Sequence, residues 1–235
     1  MLRHSWVLAL TMASSIALAQ APQGQPPTPQ QRVAMLKQWM QASQAQLRSY
    51  EWVETTVIAK GGEEKSRKQN TCYYGVDGKL QKVAVAEPAA EESGRRLGKR
   101  IVARKKEEIA DYMKSAAQLV HAYMPPDSNR IQQSVNAGKM SLTPLEGGRR
   151  VQLVFKDYLK AGDSLSVDIE TATNRLLGMH VASYLDSDTS DAIRMDVAMG
   201  VLPDGTIYTA KSTLNAPAKD MTVVVENSGY RRAAR

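Results

Sequence analysis

The back half of this 235-residue chain, residues 149–230, is a succession of short segments that are apolar at every second position. Leu165, Val167 and Ile169 alternate with Ser164, Ser166 and Asp168. Ile193, Met195, Val197, Met199 and Val201 alternate with Arg194, Asp196 and Ala198, and Met221, Val223 and Val225 with Thr222, Val224 and Glu226. A period of two belongs to strands with one face buried and the other wet. Turn signals, of which Leu202-Pro203-Asp204-Gly205 is the clearest, separate the segments, so they read as an antiparallel meander. A sheet that is apolar on one face needs a cover. The upstream half of the chain must supply it, and the functional question is whether that cover fills the space or leaves a cavity.

Helical patterns are present upstream. Thr28 stands as an N-cap before Pro29, and Val33, Leu36, Met40, Ser43 and Leu47 recur at steps of three and four, with Trp39 widening the stripe. This predicts a helix over residues 29–48. A longer pattern over 99–124 puts Val102, Ile109, Met113, Ala116, Val120 and Tyr123 on one face and stops at Pro125-Pro126. A short helix over 128–137, capped by Asp127 and stopped by Gly138, follows. Between the first two helices, residues 50–60, 63–74 and 79–85 read as strands joined at Gly61-Gly62 and Asp77-Gly78. The second of these is polar, as an edge or a solvated surface is. Residues 87–98 read as a polar loop, and Arg231–Arg235 as a frayed basic tail.

Residues 1–19 carry the marks of a secretory leader. Arg3 and His4 precede an apolar stretch, and Ala17-Leu18-Ala19 offers a cleavage site before Gln20. The stretch is shorter than the ~20 residues of a membrane span. The expectation is a periplasmic or secreted protein, free of a lipid anchor because no cysteine follows the cleavage site. Pro and Gln dominate residues 20–28, a flexible leader, and residues 29–230 are expected to form one domain. Cys72 is the single cysteine and is expected to pack as a small hydrophobe. The net charge of +7 is modest and dispersed, which suits anionic surfaces or acidic partners and not nucleic acid.

The chain shows no recognisable catalytic pattern. It has no G-x-S-x-G, no Gly-rich phosphate loop and no placeable Cys/His pair. His121 and His180 lack partners at metal-ligand spacing, and Asp186, Asp188 and Asp191 fit a hairpin turn better than a calcium loop. Asp163, Asp168 and Asp196 indicate nothing on their own. Neither a cofactor nor a metal is expected. More suggestive are the eleven methionines against a single phenylalanine. Methionine adapts to varied apolar ligands, with an ordinary flexible core as the alternative. A basic cluster, Arg95, Arg96, Lys99, Arg100, Arg104, Lys105 and Lys106, opens the long helix. It reads as a solvated face or as a docking patch for a membrane or an acidic envelope partner.

The order of elements resembles the LolA/LolB-like fold of periplasmic lipoprotein carriers, shared by RseB/MucB-type envelope sensors. The resemblance rests on the opening helix 29–48 running into strand 50–58, the mid-chain helix ending at Pro125-Pro126, and the closing L-P-D-G-T-I-Y hairpin with strand 221–227. It implies an unclosed barrel capped by helices, with an apolar cavity for acyl chains.

The expected fold is therefore α+β: a curved antiparallel sheet forming an unclosed half-barrel, its concave face covered by helices. The expected function is non-catalytic binding of a lipid or acylated ligand. Its expected lining is Leu165, Val167, Ile169, Met179, Val181, Ile193, Met195, Val197, Met199, Met221 and Val223 from the strands, with Trp39, Met113 and Val120 from the helices. The alternatives are an interaction module that docks through residues 95–106 and, last, a hydrolase with an unrecognised site.

Overall fold

A computed structural model describes residues 27–85, 99–124, 126–185 and 190–233. The expected leader of residues 1–19, the loop of 87–98, Arg95, Arg96, Asp186 and Asp188 lie outside the described residues.

The elements run α1 (Pro29–Leu47), β1 (Tyr50–Lys60), β2 (Glu63–Tyr74), β3 (Leu80–Ala84), α2 (Lys99–His121), α3 (Ser128–Asn136), β4 (Met140–Leu145), β5 (Arg150–Lys156), β6 (Ser164–Glu170), β7 (Leu176–Tyr184), β8 (Ala192–Val201), β9 (Ile207–Ala216) and β10 (Met221–Arg232). Local chemistry sets most of their ends. Thr28 and Gln31 form a capping box at α1: Gln31 N–H donates to Thr28 Oγ1 at 3.3 Å, and Thr28 N–H donates to Gln31 Oε1 at 2.8 Å. Asp127 accepts from the Asn129 and Arg130 N–H groups at the start of α3, and Gly138 turns the chain at its end with φ +67°.

All ten strands join one open antiparallel sheet, in the order β3-β2-β1-β10-β9-β8-β7-β6-β5-β4. The strands from β4 to β10 follow chain order; β1 then pairs with β10, and β2 and β3 continue outward. The two edges, β3 and β4, are consecutive strands in the chain, so the segment between them must cross the whole width of the sheet. That segment is α2 and α3. With 23 residues, α2 spans about 35 Å, most of the roughly 43 Å that ten flat strands at ~4.8 Å spacing would cover.

The crossing buries the core. Ala116, Val120, Tyr123 and Ile131 meet Val151, Leu153, Phe155, Leu165, Val167, Ile169, Met179, Val181, Ile193, Met195 and Val197 in one cluster. This is the curved sheet with a helical cover that the alternation demanded. The wet side carries its own device: β3 pairs only with Asn70–Tyr74, so the first half of β2 is an open edge. Glu63, Glu64, Lys65, Arg67 and Lys68 occupy it, and charged side chains there oppose edge-to-edge association.

The C-terminal end corrects one expectation. Strand β10 runs to Arg232, beyond the predicted end at residue 227, and Arg231 and Arg232 are not frayed. Arg231 pairs with Glu51, and Arg232 Nη2 lies 2.8 Å from Asp204 Oδ2. The reason is a bulge. Gly229, at φ +64°, lets β10 carry one extra residue where Val53 faces Ser228 and Glu51 faces Arg231. Read locally, Asn227-Ser228-Gly229 is a turn; pairing with β1 keeps it in the strand.

Candidate functional site

A groove of about 370 Å³ lies between α1 and the sheet, on the side of Met40. Val33, Met40 and Leu47 form its helical wall, and Met199, Ile207 and Tyr208 its floor, with Tyr74 and Ile131 at the ends. The volume is at the lower end of the ~300–1,000 Å³ typical of ligand sites. A second groove of about 390 Å³ flanks the same helix on the side of Trp39 and reaches Thr173, Arg175, Val201 and Asp204. Both grooves reach Ser43 and Ile207.

Those two residues seat the helix. The Ile207 N–H donates to Ser43 Oγ at 3.0 Å, and both residues are buried. Nearer its N-terminus α1 is held by the buried Arg32, whose guanidinium donates to Asn174 Oδ1.

The floor owes its shape to a bulge and a glycine. Register shifts between Ala198 and Met199, where β8 pairs with β9. The extra residue, Ala210, lies on β9, so β8 keeps its alternation: Met199 lines the first groove and Val201, 41% exposed, the second. Opposite Tyr208 sits Gly200, where a Cβ would come within 2.6 Å of the tyrosine ring. Only glycine lets Tyr208 lie across β8. Beyond it an aromatic cluster closes the end of the sheet. The Tyr208 and Tyr230 rings are 4.4 Å apart, Tyr230 stacks on Trp52 at 5.4 Å, and Trp52 meets Tyr74 at 6.0 Å. Trp52 Nε1–H donates to Asn227 Oδ1 at 3.0 Å, and Asn227 Nδ2–H donates to the Thr209 carbonyl. Cys72 is fully buried on the same face of β2, its thiol pushed up by burial.

At the rim of the Trp39 groove, Tyr50 O–H donates to Asp204 Oδ2 at 2.6 Å and Arg232 donates to the same oxygen. The Tyr50 bond, with those from Thr206, holds the Asp204 carboxyl down to about 2.

Of the residues expected to line a cavity, Met199 lines the first groove and Trp39 the second. Leu165, Val167, Ile169, Met179, Val181, Ile193, Met195, Val197, Met221 and Val120 are buried in the close-packed core, and Met113 and Val223 pack against it. Lys99, Arg100, Arg104, Lys105 and Lys106 fall in the first turns of α2.

Sequence reasoning missed the groove residues Val33, Ile207, Tyr208 and Tyr74. It also missed two polar clusters that only the folded chain assembles, the first by strand pairing and the second by the β5–β6 connection meeting the end of α2. On the wet face, His180 Nδ1 lies 2.7 Å from Asp196 Oδ1 and Nε2 lies 3.3 Å from Asp168 Oδ2, while Gln152 donates to Asp168. Burial opposes the charged imidazole, but the bonds to Asp196 and Asp168 outweigh it and raise its pKa. Inside the core edge, the buried Asp163 accepts from the Tyr158 and Lys160 N–H groups and from Tyr123 O–H, whose pKa is raised first by burial and then by this bond. This second cluster satisfies a buried carboxylate, a structural task. Among the described residues no group of three or more His, Cys, Asp or Glu side chains is placed to hold a metal ion, and no helix is long and apolar enough to cross a membrane.

No family model matches the chain, and no curated protein matches it. A solved structure that is similar is that of a DUF1329 family protein from Desulfovibrio piger ATCC 29098. It is 8% identical, with 87% of this chain and 92% of that chain covered and a TM-score of 0.36. In class, the molecule is an unclosed antiparallel half-barrel with a helical cover and paired grooves beneath its first helix.

Proposed function

We propose that this protein is an exported, non-catalytic carrier or sensor that holds an acyl-type apolar ligand between α1 and the sheet. The observation that carries this reading is the groove of about 370 Å³ walled by Val33, Met40, Leu47, Met199, Ile207 and Tyr208. Large apolar side chains there surround space instead of each other. The methionines at positions 40 and 199 suit a chain of variable shape. The leader-like residues 1–19 support export.

Native mass spectrometry of the full chain, expressed with its leader and purified from the periplasm without detergent, tests the proposal. The expected result is an added mass close to one equivalent that solvent extraction removes and identifies as an acyl lipid. Met199→Trp, which fills the groove, is expected to lose that mass while remaining folded. A polypeptide-only mass, unchanged after incubation with dodecanol or envelope lipids, overturns the reading.

A further inference from the structure

We propose that the ligand is a single-chain anionic amphiphile, its chain in the Met40 groove and its charged head across α1 in the Trp39 groove. This rests on the carrier reading and adds the ligand's class. Three observations carry it.

The first is continuity. Ser43 and Ile207 belong to the walls of both grooves, so α1 bridges a single trench at that point. The bridge is closed by the Ser43–Ile207 hydrogen bond of 3.0 Å. A ligand that spans both sides takes the place of that bond, so α1 must lift there to admit it.

The second is a difference in lining. On the Met40 side the cation in the wall is Lys37, and its charge faces Asp127, whose carboxyl it helps to hold low after the backbone bonds from Arg130 and Asn129. The rest of that lining is mostly apolar, which suits hydrocarbon. On the Trp39 side, Arg175 faces Glu170 and Arg232 faces Asp204, while Arg32 donates to Asn174 between the wall residues Thr173 and Arg175. Of these groups Arg175 and Asp204 line the groove itself, so its wall carries a guanidinium that can meet an anionic head.

The third is a donor without an acceptor. The Arg175 Nε–H is buried and has no hydrogen-bond partner among the described residues. A buried donor gains most from a charged acceptor, and an arginine fork suits carboxylate and phosphate oxygens. Trp39 supplies an apolar plate beside it. The small volume of each groove fits one chain and not a bundle of two or three.

Calorimetric titration of the full chain with dodecanoate, dodecyl phosphate and dodecanol tests this. Both anions are expected to bind about 10-fold or more tightly than the alcohol; the tighter of the two identifies carboxylate or phosphate as the natural head. Arg175→Gln is expected to remove most of that preference by weakening the two anions far more than dodecanol, and Arg175→Lys to restore part of it. Ser43→Ala is expected to speed uptake of all three. If dodecanol binds as tightly as the anions, or Arg175→Gln leaves the preference intact, the head-group assignment is overturned and the carrier reading survives. If none of the three binds, both fall.

Discussion

Under α2 and α3 the concave face is closed; under α1 it is open. Both regions draw on the same sheet, and β8 contributes to each. The difference lies in what the strands and helices present. Across β5–β8 most inward positions carry an apolar side chain, and Phe155, Leu165 and Ile193 are almost wholly buried in one cluster with Ala116, Val120 and Tyr123. Around α1 the lining includes the polar Ser43 and Gln44 on the helix and Thr209 on a strand. A helix whose apolar stripe is narrower than the face it covers leaves space on both flanks, and the two grooves are that space. A protein with this design is stable because of one half of its sheet and hollow because of the other.

Four sets of substitutions break or sharpen that contrast. The largest effect is expected in the closed half. Phe155→Ala removes a ring that is 1% exposed and is expected to cost about 3–5 kcal/mol. Met199→Ala in the open half is expected to cost less than about 1 kcal/mol, because the groove already forfeits contacts there. Urea midpoints measure both, and equal costs would erase the distinction.

Next comes Gly200→Ala. The new methyl meets the Tyr208 ring, which Tyr230 pins from its other side. A loss of about 1–3 kcal/mol is expected, and adding Tyr208→Ala should recover most of the clash term in a double-mutant cycle.

Ser43→Ala leaves the buried Ile207 N–H without its acceptor. An expected loss of about 1–3 kcal/mol should appear as faster hydrogen exchange at Ile207 and in α1, with the β5–β8 amides unchanged. Uniform acceleration across the sheet would show that α1 is not a separate unit.

The smallest effect concerns the wet face. Because the folded protein raises the His180 pKa, the folded state binds the proton more tightly than the unfolded chain. The stabilisation is fully present below the unfolded value of about 6.5 and is lost as pH rises through the higher folded value. Wild type is therefore expected to lose slightly more stability between pH 5 and pH 8 than His180→Gln. His180 is 41% exposed in its side chain, so solvent screening keeps the difference small. Parallel pH curves for the two proteins would remove His180 from the account.

The fold and the candidate site were legible to different degrees. The ends of α1, α3 and most strands could be read because Thr28, Asp127, Gly138 and the Pro203-Asp204-Gly205 turn act on neighbours a few residues away. Alternation likewise marked Leu165, Val167, Ile193 and Met195 as inward. Alternation reports which face is buried and is silent on whether the buried face is filled, so most residues expected around a cavity lie in a packed core.

By itself, then, the sequence determined the class: strands with one apolar face, helices to cover them, hairpin turns between. Those properties follow from short-range sterics and from the period of each element. Tertiary structure alone decided that β1 closes on β10, which turned Gly229 from a turn into a bulge and bound Arg231 and Arg232. It alone brought His180 between Asp168 and Asp196 and laid Tyr208 across Gly200. It also placed the space under α1, where residues more than 150 positions apart, such as Ser43 and Ile207, meet. A groove is the volume that several distant segments fail to fill, and no local pattern in any one of them records that volume.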